Sequence, residues 1–177
     1  MTVSADARSF SPQELWDIAA RVNDPEIPVL SIADLGILRS VEIIPEGEQV
    51  TAGEPGAQVK VTITPTYSGC PAMDAIAADV KGEFARAGLG AAVVLNLSPA
   101  WTTDWMSEAG KAKLEEYGIA PPTHRSDAGP VRLALGVKCP RCQSLNTREL
   151  TRFGSTSCKA LYQCRECQEP FDYFKVH

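Results

Sequence analysis

Apolar residues first recur at helical spacing. Leu15, Ile18, Ala19 and Val22 fall on one face of a predicted helix. Ser11-Pro12-Gln13-Glu14 opens it with an N-cap serine, a proline at the first helical position and a glutamate at the capping-box position. Asn23-Asp24-Pro25 ends it, because the residue before proline avoids the α region. The segment from Asp24-Pro25-Glu26-Ile27-Pro28 to Leu35-Gly36 reads as a structured loop feeding a strand over Ile37–Ile44. Pro45 to Gly56, rich in glycine and glutamate, reads as an exposed hairpin loop. The pattern then changes to period two: Val59, Val61 and Ile63 alternate with Lys60, Thr62 and Thr64, predicting a strand with one buried face.

Thr64–Pro71 joins that strand to a second helix, whose apolar stripe is Met73, Ile76, Ala77, Val80, Phe84 and Ala87. Gly88 and Gly90 stop it, and a third strand is expected over Ala91–Leu97. The order α-β-β-α-β predicts a two-layer α/β (α+β) domain. A further helix is expected at Asp104–Tyr117, closed by Gly118 and barred from continuing by Pro121-Pro122. The polar stretch 123–130 reads as a linker. The predicted organisation is therefore a domain over 11–122, a linker over 123–130 and a module over 131–177.

Charge sharpens that division. The chain is net −5 over 177 residues, which argues against whole-molecule attraction to nucleic acid or anionic membrane. Residues 131–177 carry eight basic and four acidic side chains, whereas 1–130 carry nine and eighteen. No apolar run approaches the ~20 residues a membrane helix needs. Met1–Phe10 has no basic stretch leading into an apolar core, so a cytoplasmic location is expected.

Five of the six cysteines lie in the basic module. Cys139-Pro140-Arg141-Cys142 and Cys164-Arg165-Glu166-Cys167 are two C-x-x-C pairs separated by 21 residues, room for a β-hairpin. Each pair supplies two thiolates from a tight turn, and two opposed pairs complete a tetrahedral shell. Strands are expected at Asn146–Arg152, Leu161–Gln163 and Phe171–Phe174, giving a zinc ribbon. A closed four-thiolate shell leaves no open position for catalysis, so the zinc is read as structural; four thiolates also suit iron. Gln143 and Gln168 stand where glycine often follows the second cysteine of such a turn. Cys158 reads as a half-buried or spare thiol, with a substitute-ligand role or a partnership with Cys70 as alternatives.

Cys70 is the lone thiol of the acidic domain, between Gly69 and Pro71 where a strand hands over to a helix. Proline at the first helical position would put Cys70 at or beside the N-cap, where the dipole favours a thiolate. Gly69 lets a ligand approach the backbone, and Thr66 offers a hydroxyl. Asp24 and Glu26 are candidate oxygen donors or orienting groups. The competing reading is a buried cysteine acting as a small hydrophobe. The only histidines are His124 and His177, so one chain offers no obvious soft ligand set around Cys70. A homodimer or a client protein could complete one.

DPEIPVLSIADLGIL, a strand pair and TPTYSGCPAMDAI together resemble the SufT-like family of iron–sulphur cluster assembly factors over residues 11–98. WTTDWMSEAGKAKLEEYGIAPP, CPRCQS, FGSTSCKALYQC and EPFDYFK extend the likeness to the D-component family of bacterial phenylacetyl-CoA epoxidases. That resemblance implies an accessory role in aerobic phenylacetate catabolism. The implied partners are the oxygenase and reductase subunits, and the implied task is maturation or repair of an iron or iron–sulphur centre, with iron or a cluster held transiently at Cys70. No Glu-x-x-His pair, G-x-G-x-x-G fingerprint or nucleophile–base–orienter set is present, so epoxidation by this chain itself is not expected. A non-catalytic docking subunit is the alternative, and a thiol redox protein the weaker third.

Overall fold

The fold is taken from a computed structural model, which describes residues 9–45, 56–122 and 136–176. The expected loop over 46–55 and the linker over 123–130 lie outside the described residues. The chain divides into two compact units, one up to Trp101 and one from Thr102.

In the first unit the elements are α1 (Pro12–Ala19), β1 (Leu38–Ile43), β2 (Val59–Ile63), α2 (Ala72–Arg86) and β3 (Ala91–Leu95). Their order is the α-β-β-α-β of the sequence pattern. Ser11 caps α1 in a complete capping box: its Oγ accepts from the Glu14 N–H at 3.2 Å and its own N–H donates to Glu14 at 2.7 Å. The helix ends at Ala19, earlier than the apolar spacing suggested, and Val22 is buried in the turn beyond it.

β2 is the central strand of a three-stranded sheet. It pairs antiparallel with β1, Val41 opposite Val61, and parallel with β3, Val61 opposite Val93. The parallel pair requires a crossover, which α2 supplies. Val59, Val61 and Ile63 are buried as the alternation required. Met73, Ile76, Val80 and Phe84 of α2 join the same apolar interior as Leu15 and Ile18 of α1. The loop between α1 and β1 is also built from the core outward, with Ile27, Leu30, Ile32, Leu35 and Ile37 buried. The buried indole N–H of Trp101 donates to the Leu35 carbonyl at 2.9 Å, which fixes that loop from the far end of the unit.

The second unit holds a 3-10 turn (Thr103–Trp105), α3 (Glu108–Tyr117), β4 (Ile119–Ala120), β5 (Thr147–Thr151), β6 (Lys159–Cys164) and β7 (Pro170–Phe174). Its sheet runs β4-β7-β6-β5. The expected helix over 104–117 is thus broken: Ser107 takes the N-cap, accepting from the Gly110 N–H at 2.9 Å, and the turn before it is separate. Gly118 closes α3 at φ 91° and turns the chain directly into β4, which pairs parallel with β7, Ile119 opposite Asp172. This two-residue strand gave no periodic signal. It groups α3 with the ribbon, whereas the sequence pattern attaches that helix to the first domain.

Candidate functional site

Two thiol sites emerge, one in each unit. In the ribbon, the two C-x-x-C turns bring Cys139, Cys142, Cys164 and Cys167 together, with all four sulphurs within 4.8 Å of one another. Four Zn–S bonds of about 2.3 Å imply tetrahedral edges of about 3.8 Å. The Cys139–Cys167 separation is 3.8 Å and that of Cys142–Cys164 is 3.4 Å. The donor set and its spacing therefore fit a closed tetrathiolate metal site. Cys139 and Cys164 are buried and Cys142 and Cys167 exposed, so each turn contributes one inner and one outer sulphur.

The turns show why the sequence folds this way. Gln143 and Gln168 sit at φ 63° and 62°, the left-handed conformation that glycine adopts most easily. Each turn is tied by its own side chain: Gln143 Nε2 donates to the Pro140 carbonyl at 3.2 Å and Gln168 Nε2 to the Arg165 carbonyl at 2.6 Å. At Gly136 a Cβ would lie 2.4 Å from the Leu145 carbonyl oxygen, so only glycine lets the chain pass there. Backbone N–H groups of Cys167 and Glu166 point at the Cys164 sulphur and, against desolvation, draw its pKa down to about 7. That sulphur is disposed to be a thiolate, the form that binds metal.

Around the metal cluster the core is small: Ala120, Cys139, Cys164 and Phe171, flanked by Val137, Tyr162 and Tyr173. Cys158 is not part of the cluster. It is buried, with its sulphur 3.0 Å from Thr156 Oγ1. Burial removes it from the surface that a disulfide exchange with another thiol would need.

In the first unit, Cys70 lies just past the carboxyl end of β2, in the loop that carries Thr64, Thr66 and Gly69. The loop is held by N–H donations from Gly69 and Cys70 to the Tyr67 carbonyl at 3.0 and 3.2 Å. Thr66 is buried, Gly69 is exposed, and Cys70 is half-buried. Gly69 has φ 142°, and open space surrounds the position of a Cβ there, so the backbone rather than crowding selects glycine.

Two sequence expectations are corrected here. Pro71 is the N-cap of α2, not its first helical residue, which leaves Cys70 immediately before the N-cap, beside it as expected. The thiol is also not tuned toward thiolate. Burial pushes its pKa up, and the charges of Glu26 and Asp24 push it further, outweighing the Ala72 N–H that points at the sulphur. The same charges show that the structure places both acidic residues near Cys70 electrostatically. Asp24 is itself buried, and its Oδ1 accepts from the N–H groups of Glu26 at 2.8 Å and Ile27 at 2.9 Å, which fixes the D-P-E turn. Among the described residues, only the ribbon cysteines group closely enough to form a multidentate metal cluster.

Comparison with known proteins agrees with this two-part architecture. Residues 123–175 match the family model described as PaaD zinc beta ribbon domain, and residues 13–94 match the one described as iron-sulfur cluster assembly protein. Over 163 residues the chain is 45% identical to the D component of "Putative 1,2-phenylacetyl-CoA epoxidase" from Escherichia coli (strain K12), covering 92% of this chain and 91% of that one. The chain belongs to the PaaD family. A second relative, the Fe-S protein maturation auxiliary factor of Porphyromonas gingivalis (strain ATCC BAA-308 / W83), shares the first part of this PaaD chain. It is 37% identical over 95 residues, 52% of this chain and 80% of that protein. Among solved structures, a domain of unknown function, DUF59, from Bacillus anthracis superposes with a TM-score of 0.48 at 24% identity, covering 58% of this chain and 90% of that one. No helix among the described residues is long and apolar enough to cross a membrane.

Proposed function

We propose that this PaaD-family protein is a non-catalytic accessory factor of the phenylacetyl-CoA epoxidase system. It assists assembly or repair of an iron or iron–sulphur centre in the oxygenase or reductase subunits, its partners in the cytoplasm. The names of the two relatives support the pathway and the task respectively. The observation that carries the reading is Cys70, half-buried at the carboxyl end of the parallel strand pair and flanked by the negative charges of Glu26 and Asp24.

The chemistry follows from the raised thiol pKa. At neutral pH the sulphur keeps its proton, so it is a poor ligand and a poor nucleophile until a cation arrives. The two carboxylates favour that cation electrostatically. Binding then exchanges the thiol proton for the metal, one proton released per Cys–metal bond. With a single thiolate available, the remaining ligands come from a client cysteine or from Cys70 of a second copy. Such incomplete ligation suits transfer rather than storage. Thr66 and Gly69 shape the loop, and the ribbon cysteines hold a structural zinc that takes no part in transfer.

Metal and sulphide analysis of anaerobically purified protein tests this, wild type beside Cys70→Ser. The expected result is zinc near one per chain in both, with iron in wild type only. Full cluster occupancy of the oxygenase and reductase in cells making only Cys70→Ser would overturn it.

A further inference from the structure

The ribbon carries a second feature that neither the metal nor the Cys70 reading uses. An open groove of about 470 Å³ lies on the sheet beside β5, lined by Glu149, Arg152, Phe153, Tyr162, Tyr173 and Lys175 among others. Its floor is aromatic, with the rings of Tyr162 and Tyr173 edge to face at 5.5 Å between centroids. These two tyrosines also flank the small core around Cys139 and Cys164. The groove floor is therefore set by the same sheet that the metal site holds together.

The rim is both apolar and charged. Phe153 leaves 66% of its surface exposed, the most of any large hydrophobic residue described. Lys175 Nζ stands 4.6 Å from the centre of that ring and donates to the Arg152 carbonyl at 3.3 Å, so its ammonium is anchored at the groove. The Arg152 side chain is 86% exposed and reaches Glu149 only at 3.8 Å. Glu149 is itself 43% exposed and also accepts from the Tyr162 hydroxyl at 3.2 Å, so its carboxylate is shared between the arginine and the tyrosine. Phe153 is the most exposed of the ribbon's large apolar side chains, with Lys175 over its ring and Arg152 beside it in sequence.

We infer that this groove is a docking site for an extended acidic segment of a partner protein, one carrying an aromatic side chain among its acidic residues. The aromatic side chain would lie against Phe153 and the tyrosines, and its acidic neighbours would meet Arg152 and Lys175. Charge complementarity selects the class. The module has eight basic against four acidic side chains, and the two cations stand at the groove itself. A single-stranded nucleic acid would set its phosphates on the same cations and a base on Phe153, so it is the competing occupant that the test separates. The inference rests on the proposed function only in assigning a protein partner. It concerns binding, so it stands or falls separately from any metal chemistry at Cys70.

The test uses the full-length metal-loaded protein and a fluorescein-labelled peptide of alternating Glu and Tyr, read by anisotropy at low salt. Three controls accompany it: the same peptide with Ala for Tyr, the same with Lys for Glu, and a single-stranded oligonucleotide of similar length. The expected result is saturable binding of the Glu/Tyr peptide alone. Affinity should fall about tenfold in Arg152→Glu/Lys175→Glu and by a similar factor in Phe153→Ser, with ribbon metal content and circular dichroism unchanged. Both sites are at the surface, but if either variant loses metal, Arg152→Gln/Lys175→Gln in the intact ribbon serves instead, with a severalfold loss expected. Equal binding by wild type and variants, no binding of the Glu/Tyr peptide, or preference for the oligonucleotide would each overturn the inference. A Cys70→Ser protein that binds the peptide normally yet fails to mature a client would separate this site from the first.

Discussion

The two units solve the same problem of holding a thiol in place by opposite means. The first unit has a self-sufficient apolar interior, from Leu15 and Ile18 through Val61 and Ile63 to Ile76, Val80 and Phe84. Its thiol is incidental to folding and stands at the edge of that interior. The ribbon reverses the relation. The apolar cluster at its metal site is only a few residues, two of them cysteines, and β5 is exposed along nearly its whole length. There the sulphurs are part of the interior, beside buried Ala160, Phe171 and Phe174. A thiol that folding does not need is free to do chemistry, and thiols that folding consumes are not.

The largest test of this contrast is removal of the ribbon metal. Chelation or Cys139→Ser should unfold β5–β7, because apparent metal-binding energies of roughly 10–16 kcal/mol supply the stability a module this small lacks. Hydrogen exchange should show lost protection over Lys159–Cys164 and retained protection over Ala72–Arg86. Protected ribbon amides in metal-free protein would break the comparison. The mirror experiment is Phe84→Ala, which opens a cavity in the first unit and should cost about 3–5 kcal/mol by denaturant titration. Ribbon metal content should not change.

Smaller effects sharpen the role of Cys70. Cys70→Ser should shift the stability of the first unit by less than about 1 kcal/mol, since the thiol is only half-buried and lies outside α2. The pH dependence has a definite sign. The folded pKa lies above the ordinary 9.0, so the protonated thiol favours the folded state. This contribution is complete below pH 9 and is lost as pH rises through the folded value. Alkylation of Cys70 should accordingly be slower than that of free cysteine at neutral pH and accelerate in alkali. Glu26→Gln should move the alkylation midpoint down, and an unchanged midpoint would remove Glu26 from the site. Smallest of all, Gln143→Gly should relieve the left-handed residue at φ 63° yet lose its side-chain bonds to Pro140 and Glu115, leaving a net gain of no more than about 0.5 kcal/mol in the metal-bound ribbon.

Much of this was legible in the chain because it depends on local chemistry. The capping box at Ser11 and Glu14, the alternation at Val59, Val61 and Ile63, and the paired C-x-x-C turns are each contained within a few residues. So was the oddity of Gln143 and Gln168, which the backbone conformation explains. The errors fall where distant partners decide. The short strand Ile119–Ala120 depends on β7, some fifty residues further on, so no local period announces it, whereas the helix break after Trp105 is made by the nearby Ser107 cap. The ribbon groove likewise joins Glu149, Tyr162 and Tyr173 from three strands.

Cys70 draws the same line most sharply. Sequence alone determined that a single cysteine stands between a glycine and a proline at a strand-to-helix junction, and that four others are spaced to share a metal. Only the tertiary structure decided that the Asp24-Pro25-Glu26 turn brings its charges near the sulphur, and that burial with those charges holds the proton on. A helix terminus acts through the few bonds beside it, whereas desolvation and charge act through space on whatever the fold brings near.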